Sequence, residues 1–320
     1  MSLQYHMDMG RFDLVIPAVK TDLADFENKI KFYYKMLPIK KIVILGNDSV
    51  CDYVNSFQRT QFEIEVINEN ELISYYEVKK AISSRDSSIE ACKRTGWYLQ
   101  QFLKMYYAYI CQDEYYLVWD MDTIPTKNVV LFEDYTPVFH LKTEYHKPYF
   151  DTLETLGLGF AKEHHYSFIA EHMLINTELM KKLIQVIERA NVQGNNWYVK
   201  IINSINLNDL PRAGFSEFET YGNFVFCNYK DRYKYSSWKS LREGKAFFDL
   251  NTISSHLDYL SKYYDAISFE KSGNLSGKKY LFWQKKIVQS IFPPCTIQYF
   301  IKMVSFLNRI KNRISLNYSR

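Results

Sequence analysis

Apolar residues along this chain come in short runs separated by amphipathic stretches, and that alternation predicts strands joined by helices. Residues 12–19, Phe-Asp-Leu-Val-Ile-Pro-Ala-Val, read as a buried strand stopped by Pro17, with Thr21 or Asp22 capping a helix over 23–36. Residues 40–48 give a second strand that stops in Gly46-Asn47-Asp48, and residues 62–67 a short third one. Residues 71–95 are polar and charged, and read as irregular or partly helical. Residues 96–111 carry Trp97, Leu99, Phe102, Leu103, Tyr106 and Ile110 near helical spacing, which predicts a long amphipathic helix. Gln100, Gln101 and Lys104 then read as its exposed face, the alternative being a face toward a bound ligand. Residues 115–119 form an apolar strand running into Asp120-Met121-Asp122, with Pro125 three residues beyond. Strand and turn are expected over 129–139, a strand over 168–175, a helix over 178–189, a mixed segment over 209–226, and short α/β elements over 231–270. Strand–helix–strand alternation at this spacing implies an α/β fold with a mostly parallel sheet and crossover helices.

Composition narrows the class. At 320 residues and 47% hydrophobic content the chain can bury a large core. Its five cysteines are odd in number and scattered with no CxxC pair, which excludes a zinc ribbon and a disulfide framework and suits a reducing cytoplasm. The first ten residues lack a basic start and an apolar core, and no run of 18 apolar residues occurs, so neither an export signal nor a membrane span is expected. Charge is uneven: residues 271–320 hold ten Lys/Arg and no Asp or Glu.

The candidate chemistry lies in Asp120-Met121-Asp122. A bare Asp-x-Asp occurs about once by chance in such a length, and an Asx turn is the alternative reading. Its place after an apolar strand raises its interest, because open α/β sheets bind ligands at the carboxyl ends of their strands. Two carboxylates there suit a divalent cation that also carries a phosphorylated ligand.

The order of these parts resembles the GT-A-fold glycosyltransferases, and more narrowly a family of bacterial transferases of surface-polysaccharide (capsule or lipopolysaccharide) pathways. The resemblance rests on residues 13–17, 96–104, 117–123 and 214–222 and spans about 12–270. It implies a GT-A (Rossmann-like) domain over 12–270, preceded by an extension over 1–11 and followed by a basic helical extension over 271–320. It also implies a nucleotide-sugar donor, with UDP-sugars favoured, a glycan or glycolipid acceptor, and Mn²⁺ or Mg²⁺. Asp120 would touch the ribose or the metal, and Asp122 would ligate the metal. Pro17, Ala18 and Val19 would lie under the nucleotide, with Asn47 and Asp48 on the base or ribose, unless these two serve only the turn. Arg94 precedes the long helix and could meet the diphosphate, its alternative being a solvated charge. Glu217 and Glu219 are the candidates for a catalytic base, sharing a face if extended and not if helical. His172 would line the acceptor site, unless it is a structural histidine, and His256 would be a third metal ligand. His164-His165 is expected on a loop.

Beyond Pro293-Pro294, Ile297, Phe300, Ile301, Val304, Phe306, Leu307, Ile310 and Ile314 alternate with Lys302, Arg309, Lys311 and Arg313. This basic amphipathic pattern suits an anionic membrane surface, and packing on its own domain or a dimer contact is the alternative. Nucleic acid is not expected, since no recognised module accompanies the basic stretch. The expected location is cytoplasmic, with peripheral attachment to the inner face of the membrane. A haloacid-dehalogenase phosphatase also sets Asp-x-Asp after a strand. It wants Thr or Val where Ile124 stands and a motif on the first strand, so it is rejected. A non-catalytic membrane-associated protein that binds nucleotide sugars remains the alternative function.

Overall fold

The computed structural model describes residues 10–56, 62–159, 166–242, 244–269, 285–293 and the single positions 296, 299 and 303. It divides into two compact units, Met1–Trp238 and Lys239–Arg320.

In chain order the first unit runs β1 (Phe12–Pro17), α1 (Phe26–Met36), β2 (Ile39–Gly46), α2 (Asp48–Ser56), β3 (Ile64–Asn68) and α3 (Glu69–Leu72). It continues with α4 (Tyr75–Arg85), α5 (Ile89–Lys93), α6 (Thr95–Tyr106), β4 (Tyr115–Trp119), β5 (Thr123–Pro125), β6 (Phe132–Glu133) and β7 (Thr136–Leu141). It closes with α7 (Lys147–Thr155), β8 (His172–Asn176), α8 (Thr177–Glu188), α9 (Trp197–Ser204), α10 (Glu217–Asn228) and β9 (Lys234–Ser237). The central sheet has the order β3-β2-β1-β4-β8. Its first four strands are parallel, and β8 runs antiparallel on β4. All six residues of β1 are buried, which is why its sequence is apolar on both faces rather than alternating, apart from Asp13, which accepts from the Tyr107 hydroxyl at 2.7 Å.

The connectivity fixes where a ligand can sit. From β1 the chain steps outward to β2 and β3, then returns through α4, α5 and α6 to place β4 on the other side of β1. The β1/β4 junction is therefore a topological switch point, and the crevice beyond its carboxyl ends is the ligand site of such sheets. Val15 pairs with Val118, so two residues later the strands reach Pro17 and Asp120 at the same edge.

Within residues 71–95, read from sequence as irregular or partly helical, the chain forms the end of α3 and all of α4 and α5. Their starts are capped by side chains: Asn68 accepts from the Asn70 amide, Ser74 from Glu77 and Ser88 from Ala91. In α4 only Val78, Ala81 and Ile82 are buried, too narrow a stripe to register as periodicity. Gly222, inside α10, lets this helix lie against Phe168, because a β-carbon there would come within 2.1 Å of the ring.

The second unit holds two short parallel strands, β10 (Ser240–Leu241) and β11 (Ala266–Ser268), and the helices α11 (Leu257–Leu260) and α12 (Lys286–Ile291). Most of the basic stretch expected to be an amphipathic helix lies outside the described residues, as do His164 and His165. Among the described residues no helix is long and apolar enough to cross a membrane.

Candidate active site

The carboxyl end of β4 turns back at once. The Thr123 amide donates to the Asp120 carbonyl at 3.0 Å, so Met121 and Asp122 form the corner of a tight turn. The turn is held from within the core. The Trp119 indole donates to the Thr123 carbonyl at 2.8 Å, and the Tyr33 hydroxyl of α1 reaches the same carbonyl at 3.0 Å and that of Met121 at 3.3 Å. Burial, and then the charges of Asp122 and Asp120, hold the Tyr33 phenol well above its usual pKa, so it stays a donor. Tyr33 escaped the sequence reading because its partners lie about ninety residues away.

Lys104 is the second addition. Its ammonium lies 2.7 Å from Asp120 Oδ1 and 2.8 Å from Glu217 Oε1. Burial disfavours its charge, but the two carboxylates outweigh that and raise its pKa above the usual lysine value. The expectation that Gln101 and Lys104 face solvent is therefore corrected: they are 3% and 4% exposed. Gln101 accepts from the Glu217 amide at 3.2 Å and so orients the start of α10.

The structure brings Asp120, Asp122, Lys104 and Glu217 to one strand end. Glu217 and Glu219 stand in the first turn of α10, capped by Ser216, and therefore on different helix faces. Glu217 joins the strand end through Lys104. Glu219 is buried elsewhere, accepting from the Ser167 hydroxyl at 2.6 Å and the Asn223 amide at 3.0 Å. Pro17 closes β1, the Ala18 amide is tied to the Leu45 carbonyl at 2.9 Å, and Val19 is exposed. Asn47 spends its side-chain oxygen on Ser49 and the Val50 amide, and Asp48 accepts from Asn68 at 2.5 Å. Asn47 therefore serves the start of α2, and Asp48 ties it to the end of β3. The Arg94 guanidinium stacks over Trp97 at 4.5 Å and donates to the Arg212 carbonyl.

His172 lies in the core rather than on an open surface. Its Nδ1 donates to the Ala170 carbonyl at 2.8 Å, its Nε2 meets His140 Nδ1 at 2.8 Å, and its ring packs on Trp119 and Trp238. Burial lowers its pKa to about 3, with Lys142 adding to the effect against the Ala170 bond. A histidine neutral when folded but protonated when unfolded binds more protons in the unfolded state. Stability thus falls as pH drops below about 6.5. We predict that His172→Asn flattens this acid limb by about 1.4 kcal/mol per pH unit, measured by urea denaturation between pH 7.5 and 5.

His256 belongs to the second unit, where its Nδ1 meets the Gln289 amide at 2.7 Å and its ring packs on Phe248. Among the described residues no three His, Cys, Asp or Glu side chains gather as a metal-ligand cluster. The half-buried carboxylates of Asp120 and Asp122 are hard oxygen donors at one strand end. That donor set fits a cation shared with ligand phosphates, as Mg²⁺ commonly is, rather than an all-protein cage.

Glu171 immediately precedes β8. It has φ +59° and is 4% exposed, and its carbonyl accepts from the Asp120 amide at 2.9 Å. For a residue other than glycine this conformation costs on the order of 1–3 kcal/mol.

Residues 12–248 match the model of a family described as "Family of unknown function (DUF6492)". No curated protein matches the sequence. Among solved structures, the chain aligns with mouse xyloside xylosyltransferase 1 in its apo form at 7% identity and a TM-score of 0.41, over 83% of this chain and 100% of that one. It aligns with the glycosyltransferase GlyE of Streptococcus pneumoniae TIGR4 at 14% identity and a TM-score of 0.36, over 92% of this chain and 64% of that one. A complex of the galactosyltransferase LgtC with donor and acceptor sugar analogues aligns at 13% identity and a TM-score of 0.41, over 83% and 92%.

Proposed function

The chain belongs to the family of unknown function DUF6492, and we propose that it is a metal-dependent glycosyltransferase of the GT-A type. In this reading it moves a sugar from a nucleotide-sugar donor to a glycan acceptor, as in bacterial surface-polysaccharide synthesis. One observation carries the proposal: Asp120 and Asp122 stand at the carboxyl end of β4, beside the end of β1, at the switch point of the parallel sheet.

The chain's own residues divide the work. Asp122 and Asp120 would hold Mn²⁺ or Mg²⁺, whose contribution is to neutralise charge on a departing diphosphate. Lys104 fixes Asp120 through Oδ1, and Glu217 balances the Lys104 charge from the opposite side. Tyr33 and Trp119 clamp the turn so that neither carboxylate must reorganise when ligand arrives. The nucleotide would lie over Pro17, Ala18 and Val19, and Glu217 is the base candidate connected to this site.

The test is a thermal-shift panel of UDP-, GDP-, CMP- and dTDP-sugars, each with and without Mn²⁺. One nucleotide class, expected to be UDP, should stabilise the protein by about 2.7 kcal/mol at a concentration 100 times its Kd, and only with metal. Stabilisation by none of them would sink the proposal. Binding without sugar release, with or without acceptor glycans, would favour a non-catalytic nucleotide-sugar-binding protein.

A further inference from the structure

We infer that Glu171 is a positioning residue whose left-handed backbone and buried carboxylate together hold Asp120 in place at the strand end. The inference rests on the reading of Asp120 and Asp122 as a metal–diphosphate site, and concerns what keeps that site in shape.

Among the described residues three non-glycine positions have positive φ: Asp134, Tyr135 and Glu171. The first two are the exposed turn between β6 and β7, where such geometry is common. Glu171 is different because it is buried. It stands one step beyond the last pair of the β4/β8 ladder, Trp119–His172. There its carbonyl accepts the Asp120 amide, so one backbone bond past the end of the ladder fixes the first carboxylate of the turn.

The side chain locks this conformation at both oxygens. Oε1 pairs with the Lys142 ammonium, and Oε2 accepts from the Trp238 indole at 3.1 Å. Lys142 is itself pinned, since its backbone exchanges two 2.9 Å bonds with Ser167. A residue that resists φ +59° is thus tied down by a buried ion pair and an indole, and unfavourable backbone conformations persist only where the surroundings over-determine them. The carboxylate points into the core, so Glu171 acts through Asp120.

Glu171→Gln keeps the side chain's shape and removes its charge. Glu171→Gly accepts the backbone conformation and removes the lock. In both, the metal-free protein should fold, while hydrogen exchange at the Asp120 amide becomes on the order of tenfold faster over and above any acceleration shared by the Leu14–Ile16 amides of β1. The Mn²⁺ concentration that half-saturates the thermal shift at fixed UDP should rise about 10- to 100-fold, as when residues supporting metal ligands are replaced. Unchanged exchange at Asp120 overturns the inference, and so does faster exchange with unchanged Mn²⁺ affinity. If the parent binds no Mn²⁺–UDP, the exchange result alone decides the inference, and it is the donor reading that falls. Should both Glu171 variants fail to fold, Trp238→Phe removes only the indole N–H from Oε2, and unchanged exchange there is equally fatal.

Discussion

Asp122→Ala is expected to abolish metal-dependent release of sugar from the nucleotide donor, a loss on the order of 10³-fold in kcat/KM, while leaving the protein folded. The carboxylate is half-exposed at the corner of the turn. The backbone of the turn is held by the Thr123 amide, Trp119 and Tyr33, while the Asp122 carboxylate accepts from the Thr123 hydroxyl at 3.1 Å. Its loss should therefore lower stability by about 0.5–1.5 kcal/mol, the net worth of one such hydrogen bond. Asp120 gives a less clean experiment, because its removal also strips a partner from Lys104. Initial rates across a Mn²⁺ titration, beside thermal melts of both proteins, make the measurement. Activity that survives the substitution, or that does not depend on metal in the parent, would refute the assignment of the strand-end carboxylates.

The sheet was legible because its physics is local. Strands buried on both faces must be largely apolar, and the apolar runs 14–17, 42–45 and 115–119 lie inside them. The Asp-x-Asp turn was visible for the same reason, as a polar interruption at the end of one of them. What stayed hidden is settled by distant pairing. Lys104 looked like an exposed helix position because its partners lie 16 and 113 residues away, and nothing within α6 announces a buried ammonium. Glu171 gave no sign of its backbone, since the left-handed region is normally signalled by Gly, Asn or Asp. Asn47, open in the sequence between ligand contact and turn chemistry, has its side-chain oxygen engaged in the turn that starts α2.

Lys104→Met is expected to be the most destabilising single change at the site. It leaves the buried Glu217 carboxylate without its counter-charge, and removes the ammonium that lies 4.5 Å from the Phe218 ring. Breaking one side of a buried ion pair typically costs about 3–5 kcal/mol. For a unit of this size that corresponds to a fall in melting temperature on the order of 10 °C. The parent's advantage should be constant through neutral pH. A lysine whose folded pKa is raised contributes its full stabilisation below the usual value of about 10.4, and loses it only as pH climbs through the folded value. Lys104→Met/Glu217→Gln removes both charges at nearly constant volume and should regain most of the lost stability, a coupling that a double-mutant cycle measures directly. It should not regain binding of Mn²⁺ with nucleotide, because Asp120 Oδ1 still lacks the ammonium that aims it. Recovery of stability and ligand affinity together would assign Lys104 to the core alone; recovery of stability without affinity ties it to the strand-end carboxylates.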